Sequence, residues 1–343
     1  MSKNKVVGLE ISTHHIRAAE VENFNKKNPV VKRYFEVPIM SNVAKDGEII
    51  DVDLAVEALK NLWNIGKFST KRVVLGIGNQ RVLVRNKRIA DMSLENLKTS
   101  LPFLVGDELP LAVDDSILDF YPISEDKENR EINGLLIAGV KDIIDTNIRA
   151  LEKAKLYPIG VDLIPFGLTR ALLEPNDGES STVILNIGSK STHITITQNN
   201  IPIFVRFIPA GSDDIVESIQ KITSFEYDKA LEVVNTLGVN SQAKDEQTQI
   251  LSNTINEQVS SIYTSIRNTI VHVQEQYPEN RLRNIILVGS GSKIPNLAES
   301  FTRALGLPIE LGRAKVKFPK TMNDQDIINS SIAVGVALGD HRG

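Results

Sequence analysis

No cysteine occurs in the 343 residues, which excludes disulfides, thiolate metal sites and thiol catalysis and suits a reducing compartment. Aromatic residues are sparse at 5%, and the single tryptophan, Trp63, reads as core. Positive charge is not in excess. Lys and Arg number 39 against 43 Asp and Glu, for a net charge of −4, and they are scattered among acids instead of forming a stripe, which argues against nucleic acid as a partner. No apolar run reaches the length of a membrane span, and the first one stops at Glu10, too short for a signal peptide. Nor does any Ser-His-Asp set or histidine-carboxylate metal cluster stand out. A cytoplasmic globular protein is expected, with 41% hydrophobic residues supplying cores for two domains or one two-lobed fold.

What is present is a repeat. The segment Val7 to Val21 recurs from Val183, so that Glu10-Ile11-Ser12-Thr13 in one copy answers Asn186-Ile187-Gly188-Ser189 in the other. Each copy is an apolar strand running into a tight turn of small hydroxylated residues, followed by a second strand. Such turns aim backbone N–H groups and short hydroxyls at one space, as a phosphate-binding turn requires. Ser189, Lys190 and Ser191 either contact a phosphate or close a hairpin, and the repeat favours contact. His14 and His15 complete the first turn, although a turn histidine more often caps or faces solvent.

Around these turns the apolar periodicity predicts strands at 5–11, 15–23 and 29–37, a helix from Asp51 to about Lys67 and a strand at 73–77, then the same order from 182 onward. Two β-β-β-α-β-α units around a cleft define an α/β fold of the actin-like, ribonuclease-H-like type. Residues 80–164 read as an insertion in β-α-β-β-α-β order, which is ferredoxin-like. A helical insertion spans 224–281, where Ile255, Val259, Ile262, Ile266, Ile270 and Val273 fall at helical spacing. The expected division is therefore 1–79 with 165–180 and 320–343 for the first half, and 181–223 with 282–319 for the second. The run Val288-Gly289-Ser290-Gly291-Ser292-Lys293 supplies a glycine-rich turn that could approach a base or sugar closely.

The stretches VVGLEISTHHIRAAEV, VILNIGSKSTHITITQNNIPIFVRFIPAG, NIILVGSGSKIPNLAESFTRALGLPIEL and SIAVGVALG resemble the PilM family of type IV pilus assembly, and more distantly the FtsA cell-division family. The insertion shares the likeness through Leu101-Pro102-Phe103-Leu104, Leu109-Pro110-Leu111 and Asp114 to Phe120. The resemblance implies ATP or ADP with Mg²⁺ in a cleft lined by Glu10, Ser12, Thr13, His14, His15, Asn186, Gly188, Ser189, Lys190, Ser191, Gly211, Glu232, Gly289, Ser290, Gly291, Ser292 and Lys293. Glu10 would be the metal's contact.

Three departures from the family pattern bear on chemistry. Glu10 and Ser12 stand where Asp and Gly are usual, Asn186 replaces an acid, and the charges in Asp228-Lys229-Ala230-Leu231-Glu232 are inverted. Since Mg²⁺ and an attacking water need charge at a defined distance, hydrolysis is expected at background. The resemblance further implies a scaffold recruited to the inner membrane by the tail of a PilN-like protein, without a membrane segment of its own. Leu97, Leu101, Leu104 and Val105 would line the groove, between the first half and the insertion. Other pilus assembly proteins and a second copy of the chain are further expected partners. An FtsA-like filament would need an amphipathic membrane helix after the fold, where Gly339 to Gly343 remain. An actin-fold kinase would need the acid absent at Asn186.

Overall fold

A computed structural model describes residues 4–174, 181–242, 245–278 and 280–339. The first half opens with β1 (Lys5–Ile11), β2 (His15–Glu22), β3 (Val30–Pro38) and the short hairpin β4 (Ala44–Lys45) and β5 (Glu48–Ile49). Then follow α1 (Val52–Gly66), β6 (Arg72–Ile77), β7 (Val82–Ala90), α2 (Leu94–Val105), β8 (Ser116–Asp126), β9 (Glu131–Val140), α3 (Lys141–Lys153), β10 (Tyr157–Leu163) and α4 (Ile164–Leu172). The second half carries β11 (Ser181–Ile187), β12 (Thr192–Gln198), β13 (Ile201–Ile208), α5 (Ser212–Thr223), α6 (Tyr227–Leu237) and α7 (Glu246–Gln276). It closes with β14 (Leu282–Val288), α8 (Leu297–Leu305), β15 (Ile309–Leu311), α9 (Asp324–Asn329) and α10 (Ser331–Ala337).

The duplication is visible in the sheets. One has strand order β10-β6-β1-β2-β3 and the other β13-β12-β11-β14-β15. In each, the first strand of the repeat lies between an antiparallel neighbour and a parallel one, so both its edges are paired, and with cores on the sheet faces β1 and β11 are buried almost throughout. Each half has its own core. Val7, Leu9, Leu59, Leu62 and Leu75 fill the first, and Leu185, Ile194, Ile219 and the α7 stripe Ile255, Val259, Ile262, Ile266, Ile270 and Val273 fill the second.

The inserted segment departs from the expected ferredoxin-like closure. β7, β9 and β8 form a separate sheet in that order, but β10 pairs in parallel with β6 in the first-half sheet, and α3 packs on α1. The reason is hydrophobic. α3 buries Ala150 and Leu151 in the first half's core, leaving 82–140 as the segment with a sheet of its own. The segments 175–180 and 340–343 of the expected division lie outside the described residues.

Between the halves, α4 and α10 fill an apolar seam with Val6, Val74, Ile184 and Ile286. Their backbones meet at two glycines. A Cβ on Gly335 would fall 2.5 Å from the Gly167 carbonyl oxygen, and one on Gly167 would fall 2.9 Å from Gly335. Gly335→Val is therefore expected to cost about 3 kcal/mol or more by overpacking, read as a lowered urea midpoint. A loss below about 1 kcal/mol would contradict this packing.

Candidate functional site

The two repeated turns face each other across a cleft of about 470 Å³ at the open side of this seam. Their local geometry comes from the hairpins. Ser12 N–H and Oγ both donate to the His15 carbonyl at 2.9 Å, and Gly188 N–H donates to the Ser191 carbonyl at 2.9 Å. Helix α5 starts directly off the second turn, with Ser212 and Asp213 N–H groups donating to the Gly188 and Ser189 carbonyls at 2.9 Å.

Polar contacts cross the cleft. His14 Nε2 lies 2.8 Å from Asp213 Oδ2 and 3.0 Å from Tyr227 Oη, and that phenol donates to Asp213 Oδ1 at 2.9 Å. From the β4–β5 turn, Asp46 accepts a 2.7 Å hydrogen bond from Ser191 Oγ, while its N–H donates to Thr13 Oγ1 at 3.1 Å. Asp46 thus joins both turns. Behind Ser191, His193 Nε2 lies 3.2 Å away and His193 Nδ1 lies 3.2 Å from Asn186 Nδ2. Burial holds the His193 imidazole down to about 4, so it is neutral at pH 7. With its proton on Nε2 the chain Asn186, His193, Ser191, Asp46 donates in one direction throughout.

Glu10 is not a free carboxylate. Its cross-strand partner Arg17 donates to Glu10 Oε1 at 3.0 Å and to Glu36 Oε2 at 2.7 Å. Burial raises the Glu10 carboxyl above its usual range, with Arg17 opposing the rise. Three buried polar atoms of cleft-lining residues have no partner among the described residues: Glu10 Oε2, Asn186 Oδ1 and Ser331 Oγ. Such atoms are costly unless a ligand or water satisfies them, so the walls suit a polar ligand. Lys293 also lines the cleft, and burial followed by Arg17 lowers its ammonium.

The sequence profile of the type IV pilus assembly protein PilM family matches residues 8–339. The chain belongs to the PilM family. It is similar to the PilM of a PilM-PilN type IV pilus biogenesis complex, at 21% identity and TM-score 0.84, covering 97% of both chains. It also resembles the cell division protein FtsA of Streptococcus pneumoniae, at 21% identity over 98% of this chain and 79% of FtsA. MreB5 of Spiroplasma citri, in a structure bound to ADP, aligns at 11% identity and TM-score 0.55, covering 97% of this chain and 95% of MreB5. The actin-like fold expected from the repeat is the fold these neighbours share.

Most of the site residues expected from sequence gather on the cleft wall of this PilM-family chain: Glu10, Ser12, Thr13, His14, His15, Asn186, Gly188, Ser189, Ser191, Gly289, Ser290 and Lys293. Five do not. Lys190 turns its ammonium to Glu217, and Glu232 pairs with Lys229 on the outer face of α6, whose inner face offers Asp228, Leu231 and Asn235 instead. Gly211 and Gly291 are spacers, since a Cβ would meet the Ser189 carbonyl at 2.4 Å and the Ile187 side chain at 2.4 Å, respectively. The Ser292 hydroxyl donates to the Gly289 carbonyl at 2.7 Å.

The expected partner residues divide similarly. Leu97, Leu101 and Val105, at i, i+4 and i+8, face the small core with Ile89, Phe120 and Leu136, so they support α2 and offer no surface. Leu104 is exposed, and Phe103 beside it is 89% exposed. Sequence reading missed Arg17, Asp46, His193, Asp213 and Tyr227. The hairpin register pairs Arg17 with Glu10, and the Asp46-Gly47 dipeptide is a turn signal, so two of the five had a signal in the sequence.

Burial pushes the Asp46 carboxyl up from its usual 3.8 to about 6. A raised folded value favours the neutral form, so this group's contribution to stability is complete below about pH 4 and lost as pH rises through about 6. Asp46→Asn, which cannot ionise, is expected to gain on the order of 1 kcal/mol over the native protein between about pH 4 and pH 7. Urea titrations of both proteins at the two pH values check this, and a pH-independent difference contradicts it.

Proposed function

We propose that this chain is a cytoplasmic scaffold of the type IV pilus inner-membrane platform that captures the N-terminal tail of a PilN-like protein. Through that partner it would sit peripheral to the inner membrane. The observation that carries the reading is the apolar surface of the inserted segment. Phe103, Leu104, Leu111 and Ile117 are exposed along the stretch from the end of α2 into β8. β8 is the terminal strand in the order β7-β9-β8, and an extended peptide can add to such an edge by main-chain pairing while its side chains meet apolar neighbours. No helix among the described residues is long and apolar enough to cross a membrane, which fits recruitment through a partner. The match to the PilM of a PilM-PilN complex supports the choice of occupant.

In this reading the cleft holds ATP or ADP, with Mg²⁺, as a structural ligand. Ser12, Thr13, Ser189 and Ser191 would meet phosphate oxygens, and Gly289 and Ser290 would meet the nucleoside. The nucleotide would supply a polyanion that both halves bind. Arg17 already neutralises Glu10, and Asn186 brings no charge, so the walls favour holding a nucleotide over splitting it. The FtsA-like filament remains the second reading, carried by the whole-length similarity to FtsA.

Titration of the purified protein with a synthetic PilN-like tail peptide, with and without ATP, tests the scaffold. Binding at about micromolar Kd is expected, weakened about tenfold or more by Phe103→Asp or Leu104→Asp. Exposed positions are the right probes here, because an acid at the buried Leu101 would unfold the small core instead. Failure of the intact tail to bind under both conditions overturns the proposal in favour of the filament.

A further inference from the structure

We infer that Asp46 makes nucleotide occupancy of the cleft depend on a divalent cation, by placing a carboxylate between the two turns where a nucleotide's phosphates would lie. This rests on the nucleotide reading above and assigns a specificity role to a residue outside the repeated turns. The β4–β5 hairpin carries Asp46 into the cleft through a turn with φ of 50° at Asp46 and 85° at Gly47, the left-handed pair that an Asp-Gly turn supplies. Asn79 Nδ2 donates to the Asp46 carbonyl at 2.9 Å, which fixes that turn against the end of β6. The side chain then meets Ser191 of the second turn at 2.7 Å, and the backbone meets Thr13 of the first. The first half therefore supplies an acid beside the second turn, whose own equivalent position is the uncharged Asn186.

The surrounding charge offsets this carboxylate only in part, through Lys45 and through Lys190, which is shared with Glu217 and Asp213. Glu10, Asp46, Asp213 and Asp228 line the cleft against the cations Arg17 and Lys293. Arg17 is engaged by Glu10 and Glu36, and Lys190 by Glu217 and Asp213. A nucleotide di- or triphosphate entering between the turns meets like charge at short range in a partly desolvated space, where screening by salt is weak. A divalent cation held beside Asp46 would reverse the sign of that interaction. Removal of the Asp46 charge removes most of the need for it.

The test is isothermal titration of ADP and of a non-hydrolysable ATP analogue, each with Mg²⁺ and with a chelator, into the native protein, Asp46→Asn and Glu57→Gln. Asparagine tolerates positive φ and its amide oxygen still accepts from Ser191, so Asp46→Asn keeps the hairpin. Glu57, exposed on α1 outside the cleft, controls for the loss of one negative charge. The native protein and Glu57→Gln are expected to lose about tenfold or more in affinity when Mg²⁺ is chelated, and Asp46→Asn less than about threefold, because its metal-free affinity rises. An Mg²⁺ dependence of Asp46→Asn equal to the native one, or an equal change in both variants, overturns the inference alone. Absence of nucleotide binding by all three proteins overturns the nucleotide reading, and this inference with it.

Discussion

The hydrogen bonds that tie one repeated turn to the other across the cleft are the constraint on which the site depends. At the base of the cleft, α4 and α10 seal the two halves with apolar contacts and the close approach of Gly167 to Gly335. At its mouth, His14 meets Asp213 and Tyr227, and Asp46 meets Ser191. A packed seam resists deformation because its contacts are short-ranged and numerous. Hydrogen bonds in a partly hydrated cleft contribute about 1 kcal/mol each and exchange readily for bonds to a ligand. The molecule therefore has a rigid base and a mouth whose closure is set by a few named side chains. A bound polyanion would compete with those bonds or be enclosed by them.

That division of labour also explains why a family built on an actin-like fold can serve as a scaffold. Catalysis would need charge held at a fixed distance from a reacting phosphate. Here Arg17 is spent on Glu10, and Asn186 hands its amide to a neutral His193. The same residues make a polar-walled cleft, while the exposed apolar residues Phe103, Leu104, Leu111 and Ile117 lie elsewhere, on the inserted segment. The cleft and the exposed apolar surface of the inserted segment thus sit on different elements. They are joined through the first-half sheet, which the chain leaves after β6 and re-enters at β10.

Much of the fold was legible because the repeat doubles each signal: an apolar strand, a turn of small residues and a returning strand, twice over. The α7 stripe was legible from its own helical spacing, since Ile255, Val259, Ile262, Ile266, Ile270 and Val273 are all buried. The fate of β10 was not. Strand order along the chain does not say which sheet a strand joins, and β10 joins β6 because α3 carries its apolar face back to α1. In α2, the four apolar positions expected to line the groove do not share one environment. Leu97, Leu101 and Val105 share one face and fill a small core, so only Leu104 and the neighbouring Phe103 remain for a partner.

The cleft itself was half legible. Residues within each turn follow from the repeat, but contacts between turns come from residues far apart in sequence. His14 and Asp213 carry no local pattern that announces their pairing, and Tyr227 enters from the start of α6. Hydrogen–deuterium exchange on the native protein and His14→Ala measures that pairing most directly. Amides at 187–191 and 212–216 are expected to exchange about tenfold faster in His14→Ala, the equivalent of about 1.4 kcal/mol, while β1 amides at 6–9 keep their protection. Unchanged exchange at 187–191 and 212–216 would contradict the claim that the bonds across the cleft hold its mouth.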